Sequence, residues 1–314
     1  MHRAIGVDVG GTKIAAGLVD EQGRVAATTR RDTPSTDPEK IEEAITDVVR
    51  ELAVGEDVEA VGLAAAGLVD ADRSTVLFAP NLAWRREPLR QAVEKRTGLP
   101  VVVENDANAA AWGESRFGAG RGEQYVVTIT VGTGLGGGIV VDGRMYRGRN
   151  GVAAEFGHIT VEEGGRRCGC GSRGCWERYA SGTALVQEAR ELASVSPATA
   201  VRLLELAGGR PADIIGRHIS QAAQEGDEAA LECFAIVGSW LGHGMAGLAA
   251  AFDPGMFILG GGVSEAGEVL RRPTVRALED RLTAANYRPP PRVELAELGQ
   301  LAGIVGAADL SRRR

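Results

Sequence analysis

Ala4–Val19 reads AIGVDVGGTKIAAGLV: an apolar run, a turn of Gly10, Gly11, Thr12 and Lys13, and a second apolar run that follows at once. Asp20–Gly23 then turns the chain into a third extended segment near Arg24–Arg31. The spacing predicts a hairpin, strand to glycine turn to strand. A Walker loop needs GxxxxGK[ST] leading into a helix, and this stretch has neither. What it offers is a β-turn whose bare N–H groups can face a phosphate. Asp8, at the strand end, would reach a metal-bound water, and Thr12 and Lys13 would add donors. An ordinary hairpin turn has the same sequence, so these residues alone leave both readings open.

The same logic restarts downstream. Gln124–Val131 is apolar, Gly132–Gly138 is glycine-rich, and Ile139–Asp142 is apolar again. Gly132, Gly134 and Gly137 formally satisfy GxGxxG, but a strand follows where the dinucleotide fingerprint needs a helix. Two such hairpins, each opening a β-β-β-α unit, predict a duplicated α/β fold with nucleotide held between the halves. A third glycine turn, Gly260–Gly262, follows the apolar run Met256–Leu259 and permits close approach to a nucleoside. Asn105 and Asp106 end the strand Val101–Glu104 where the helix Ala107–Phe117 begins. Parallel sheets place ligands there, and a plain helix cap sits there too.

Between these turns the 3.6-residue period predicts helices over Pro38–Leu52, Pro88–Thr97, Gly182–Ser194, Ala198–Leu206, Ala212–Gln224, Glu228–Phe252 and Glu265–Ala285, with a last one from Leu301. No low-complexity linker divides the chain, so the boundary is read as a hinge near Asn108–Gly120. That gives a small α/β domain over 1–108 and a large one over 109–299, with a helix over 300–314 packing back on the first.

Glu155–Glu177 reads EFGHITVEEGGRRCGCGSRGCWE and holds three of the four cysteines, Cys168, Cys170 and Cys175, with His158 upstream. Three thiolates and one imidazole fill a tetrahedral zinc shell and leave no open position for water, so the metal read here is structural. The alternative is a turn-rich loop with incidental thiols. Glu155 and Glu177 flank the loop, and a zinc knot would fix both carboxylates.

Bulk properties narrow the class. A length of 314 residues suggests about two domains. The net charge of -7 provides no basic field for nucleic acid. The apolar stretches Ala60–Val69 and Met245–Phe252 are too short to span a bilayer. No export signal precedes Arg3, so the expected compartment is the cytoplasm, where clustered thiols favour metal over disulfide. Cys233 is read as core, and Arg312–Arg314 as a solvated tail.

Taken jointly, these motifs resemble the ROK family of sugar kinases, in the actin/hexokinase/Hsp70 ATPase superfamily. DVGGTK at Asp8–Lys13 resembles the family's first phosphate motif. Val131, Gly134, Leu135, Gly136, Gly138, Ile139, Gly148, Ala154, Gly157 and His158 fall in register with its signature. HX9CXCGXXGCXE, from His158 to Glu177, resembles its zinc-and-sugar motif in full. Ala153-Ala154 before Glu155 departs from the Ala-Gly of many members.

The resemblance implies a two-lobed actin/hexokinase-like fold and transfer of phosphate from ATP-Mg to the 6-hydroxyl of glucose. It makes Asp106 the general base, with Asn105, Glu155, His158 and Glu177 holding sugar hydroxyls and Gly67 and Asn81 in the same pocket. Gly10, Gly11, Thr12, Lys13, Thr133, Gly134 and Gly261 would line the nucleotide, and Asp8 would orient magnesium. His158 would serve both zinc and sugar. It also implies a homodimer or a dimer of dimers. An N-acetylmannosamine kinase, a polyphosphate-using kinase and a sugar-sensing regulator are the alternatives. The regulator would need a DNA-binding helix-turn-helix, for which the start at Arg3 leaves no room.

Overall fold

In the computed structural model, which describes residues 2–313, the first glycine turn joins two antiparallel strands, β1 (Arg3–Val9) and β2 (Lys13–Val19), with Val9 opposite Ile14. The chain continues through β3 (Val25–Asp32), α1 (Pro38–Ala53), β4 (Val58–Ala65), β5 (Leu68–Val69), β6 (Val76–Phe78), β7 (Arg85–Glu87), α2 (Leu89–Thr97), β8 (Val101–Asn105) and α3 (Asp106–Phe117). A second hairpin, β9 (Val126–Val131) and β10 (Leu135–Val141), leads to β11 (Arg144–Tyr146). Then come α4 (Glu177–Ala180), α5 (Gly182–Val195), α6 (Val201–Leu206), α7 (Gly216–Gln224), α8 (Glu228–Phe252), β12 (Met256–Gly260), α9 (Glu268–Glu279), β13 (Arg292–Leu295) and α10 (Ala302–Ser311).

The first sheet runs β3-β2-β1-β4-β8, with β4 parallel to both β1 and β8. Alternation along β1 explains its two faces. Ile5, Val7 and Val9 join a core with Ile41, Ile45 and Val48 of α1 and with Trp84 and Leu89. Ala4, of the opposite parity, packs with Ile304 and Val305 of α10. Asp8 shares the parity of Ala4 and so lies on the α10 face.

That face is closed by backbone contact. A Cβ on Gly62 would stand 1.8 Å from the Ala307 carbonyl oxygen, so only glycine lets α10 seat on β4. Overpacking ordinarily costs about 1–3 kcal/mol, and a clash with backbone cannot relax by rotamer change. Gly62→Ala is therefore expected to cost at least the upper end of that range in stability, read as a lower denaturation midpoint. An unchanged midpoint would mean that α10 does not rest on this strand.

The chain forms two compact units: residues 1–128, 137–154 and 297–314 in one, and 129–136 with 155–296 in the other. The boundary expected at 108/109 thus falls inside the first unit. The reason is α3, whose Trp112 Nε1 donates to Asp309 Oδ2 of α10 at 2.7 Å. Arg312 is no solvated tail either: it donates to the Val19 and Asp20 carbonyls and pairs with Glu59. Arg313 pairs with Asp309, and Arg314 lies outside the described residues.

The second sheet runs β11-β10-β9-β12-β13. Its order matches that of the first sheet, so the expected β-β-β-α order holds in both halves, with the cysteine loop standing between β11 and the helices of the second. A small sheet, β5-β6-β7, was not anticipated. The helix expected over 265–285 is shorter, because Gly267 at φ 65° separates a 3-10 turn, Gly262–Ala266, from α9. A 3-10 turn at Pro211–Asp213 likewise delays α7, and α6 begins at Val201 instead of Ala198.

Among the described residues α8 is the one helix with the length and composition of a membrane span, longer than the apolar stretches read from the sequence; most of its apolar window is buried. Asp227 caps its start, its Oδ1 accepting the Ala230 N–H at 2.8 Å.

Candidate active site

In the first unit, Asn105 and Asp106 stand where β8 becomes α3. Asn105 caps the helix: its Oδ1 accepts the Asn108 N–H at 2.9 Å. Its Nδ2 donates to the Gly67 carbonyl and to Asp106 Oδ1, both at 3.1 Å. Asp106 Oδ1 also accepts the Ala107 N–H at 2.9 Å, so Oδ2 is the oxygen left to take a proton from a ligand. Of the two readings of this pair, the helix cap is observed in Asn105, and Asp106 is the candidate base. Because the Asn105 amide donors are used inside the protein, its remaining offer to a sugar is the second lone pair of Oδ1.

Burial pushes the Asp106 carboxyl up from its ordinary value. Asp8 is raised as well, to about 7, by burial and then by repulsion from Asp106. Two neighbouring carboxyls driven toward neutrality form a donor set that a divalent cation relieves. Gly10–Lys13 lies beside them as a hydrogen-bonded turn, with the Gly10 N–H donating to the Lys13 carbonyl at 3.0 Å. Thr33 closes its back, its hydroxyl donating to the Gly10 carbonyl at 2.8 Å. Thr12 and Lys13 are exposed, and a Cβ on Gly11 would lie 3.0 Å from Asn81 Cβ. Thus the first unit brings together Asp8, the glycine turn and Asn81, and separately links Gly67, Asn105 and Asp106.

In the second unit, the ligand atoms of His158, Cys168, Cys170 and Cys175 all lie within 4.8 Å of one another. Cys170 Sγ is 3.6 Å from Cys175 Sγ, and Cys168 Sγ is 3.7 Å from His158 Nδ1. Four ligands at a zinc–sulfur bond length near 2.3 Å give tetrahedral edges of about 3.8 Å, so the cluster fits zinc. As free thiols the group is unfavourable: burial, then hydrogen bonds to Glu177 and neighbouring thiols, push Cys168 up to about 12. A coordinated dication reverses that balance.

The loop is held from outside. Arg166 donates its N–H to the Tyr179 hydroxyl at 2.7 Å, and its guanidinium pairs with Glu188 of α5 at 2.6 Å. Gly174, at φ 76°, leaves no room for a Cβ, which would meet the Glu162 carbonyl oxygen at 1.8 Å.

His158 ends a 3-10 turn, Phe156–His158, whose first carbonyl contact is Glu155. Its Nδ1 faces the cysteines, so a metal there leaves Nε2–H outward. With Nδ1 on a metal, the outward ring nitrogen would therefore be a hydrogen-bond donor. Glu177 Oε1 lies 3.0 Å from Cys168 Sγ, and a Cβ on Gly134 would lie 2.8 Å from Glu177 Oε2. The second glycine turn and the metal loop therefore meet at Glu177.

That turn also anchors a helix. The Gly182 N–H donates to the Gly132 carbonyl at 2.8 Å, and the Thr183 hydroxyl donates to the Thr133 carbonyl at 2.7 Å. A cavity of about 1290 Å³ opens from here, lined by Thr133, by Gln187 and Arg190 of α5, by Arg217 and Gln221 of α7, and by Gly262. Gly261 adjoins it at φ 82°, close against Val131. Sequence reasoning did not assign these helix faces. The signal was present: Thr183, Gln187, Arg190 and Ser194 recur at helical spacing as a polar stripe opposite the buried Ala184, Leu185, Ala189 and Ala193.

Comparison with known proteins places these features in context. Residues 4–314 match the ROK family. A glucokinase of Streptomyces coelicolor is 53% identical over 99% of this chain and 98% of its own length. One from Thermotoga maritima is 38% identical over 99% and 98%. Among solved structures, a ROK family glucokinase from Streptomyces griseus in complex with glucose and AMPPNP is similar with a TM-score of 0.91. It is 55% identical, and the match covers 99% of this chain and 100% of that one.

Proposed function

The chain belongs to the ROK family, and from that premise we propose that it is an ATP-dependent glucokinase, converting glucose to glucose 6-phosphate. The observation that carries this is the full-length likeness to a structure holding glucose and an ATP analogue. In the proposed reaction, Asp106 Oδ2 accepts the proton of the 6-hydroxyl as O6 attacks the γ-phosphorus. The O6–P bond forms, the bond from phosphorus to the β-bridging oxygen breaks, and ADP leaves. Such transfers depend mainly on positioning and charge stabilisation.

Several arrangements support the residue roles. Asn105 fixes Asp106 Oδ1 and so aims the other oxygen. The bare turn Gly10–Lys13 offers N–H groups, with Thr12 and Lys13 as further donors, to the transferring phosphate. Magnesium, when bound, supplies charge neutralisation for the phosphates, and Asp8 would orient it. Zinc, when bound, supplies rigidity to the loop carrying Glu155, His158 and Glu177, which would hold sugar hydroxyls with Gly67 and Asn81. Thr133, Gly134 and Gly261 would line the nucleotide, and the adjoining cavity of about 1290 Å³ has room for its nucleoside. Its charged lining includes Arg190 and Arg217 against Glu191 and Glu265, a balance suited to a neutral base and ribose and not to a long polyanion.

We also propose a homo-oligomer in the cytoplasm. Support comes from the outer face of α8, where His243, Gly247 and Ala251 are exposed and the His243 ring stacks on Trp240 at 5.6 Å. Sedimentation at several concentrations tests it. The function itself is tested by ADP release from ATP-Mg over glucose, mannose, fructose, N-acetylglucosamine and N-acetylmannosamine. A selective response to glucose is expected, with polyphosphate a poor replacement for ATP. Preference for an N-acetyl sugar would keep the chemistry and change the acceptor, and silence over the whole panel would refute the kinase.

A further inference from the structure

Glu104 is buried, with 1% of its surface exposed, and sits one residue before Asn105 at the end of β8. It falls in register with Ala64 of β4, which is itself opposite Asp8 of β1, so the three form one row across the sheet. Its Oε1 accepts three hydrogen bonds: from the Asn105 N–H at 2.9 Å, Asn108 Nδ2 at 3.1 Å and Arg147 Nε at 3.2 Å. Its Oε2 lies 2.9 Å from Arg147 Nε and 3.4 Å from Arg73 Nε. Arg147 in turn donates to the Asp70 and Ala71 carbonyls, both at 3.0 Å. Arg73 donates to the Leu310 carbonyl at 3.2 Å.

A buried carboxylate between two guanidiniums is a poor stability device, because well-packed apolar residues of similar volume commonly do as well. Its geometry has a more specific consequence. Asn105 and Asn108 are the two ends of the cap that starts α3, and Glu104 Oε1 holds both. The Asn105 amide then holds Asp106 Oδ1. Arg147 fixes the carboxylate from the far side, so the chain of contacts runs from the loop at Asp70 to the oxygen of Asp106.

We propose that Glu104, locked by Arg147, is a positioning residue for Asp106: it sets the direction of the base without touching substrate. This rests on the reading of Asp106 as the base. A misplacement of about 1 Å in such a constellation costs on the order of 100-fold in rate. Glu104→Gln keeps the volume but surrenders the charge that holds Arg147 and Arg73, so its amide is free to turn away from the cap.

The test measures kcat, both KM values and the melting temperature of Glu104→Gln, Asp106→Asn and the double variant. Glu104→Gln is expected to lower kcat by about 30-fold, within the range a small misplacement allows. KM for ATP should stay within about twofold, while KM for glucose rises through Asn105. In the Asp106→Asn background the same change should have almost no further effect on the residual rate, because the group it aims is already gone. A merely structural role would instead multiply the two losses, and that result overturns the proposal, as does a folded Glu104→Gln with kcat within threefold of the parent. Should Glu104→Gln not fold, Arg147→Gln, which leaves the carboxylate paired with Arg73, is read in the same two backgrounds with the same expectations. Near-normal turnover by Asp106→Asn would refute the base itself; an inactive Asp106→Asn beside normal Glu104 variants would refute only the positioning.

Discussion

Asp106→Asn is expected to lower kcat by about 1000-fold, within the 100- to 10,000-fold usual for a general base and equivalent to about 4 kcal/mol of barrier. Glucose affinity should change little, because the amide keeps the shape of the carboxyl and its Oδ1 can still accept from Asn105 and Ala107. Stability should hold or improve. Burial raises the Asp106 carboxyl, and a group whose folded pKa stands above its unfolded value favours folding in its protonated form. That contribution is complete below the unfolded pKa and is lost as pH rises through the folded one. Above that folded pKa the ionised carboxylate is a burden that the amide removes. The parent enzyme's kcat should accordingly decay as pH falls through that raised pKa, where the base becomes protonated, and the residual rate of the variant should lack that limb. Steady-state kinetics from pH 5 to 8 beside thermal melts checks all three. A variant turning over near the parent rate would remove Asp106 from the mechanism.

Loss of zinc is the second large effect. Cys175 is fully buried, and its Sγ stands 3.6 Å from that of Cys170. Cys175→Ser should abolish tight zinc binding, since a buried hydroxyl is a poor ligand where three thiolates are needed. Structural zinc sites in small peptides supply about 10–16 kcal/mol of apparent binding energy, which the folded loop shares. Without it, residues 155–177 keep the Arg166 and Tyr179 contacts but lose the link among His158, Cys168, Cys170 and Cys175. KM for glucose should rise at least tenfold, on the order of 1.4 kcal/mol, while KM for ATP moves less. The melting temperature should fall by several degrees. Metal analysis of the purified parent should find about one zinc per chain. A zinc-free parent with full activity would refute the structural metal.

Most of the candidate site was legible because it is local. DVGGTK is read from the spacing of apolar and glycine residues, and its hairpin requires nothing beyond neighbouring strands. The metal loop is likewise contained within His158–Cys175, so ligand type and spacing sufficed to nominate all four ligands. Glu104 escaped notice for the opposite reason. In sequence it is one more residue of an apolar strand, and its partners Arg73 and Arg147 lie far away along the chain. The polar stripe of α5 was visible, but an amphipathic helix does not reveal whether its polar side faces solvent or a cavity.

By itself the sequence determined the strand–turn–strand logic of both glycine hairpins, the tetrahedral ligand set and the pairing of Asn105 with Asp106 at a helix start, because each follows from residues within one or two turns of chain. Tertiary structure alone decided that α10 seats against β4 at Gly62, that α3 belongs with it, that Asp8 lies near enough to Asp106 to be raised by it, and that Glu104 grips the cap beside Asp106. Those depend on contacts between segments distant in the chain, and only packing fixes which segments meet.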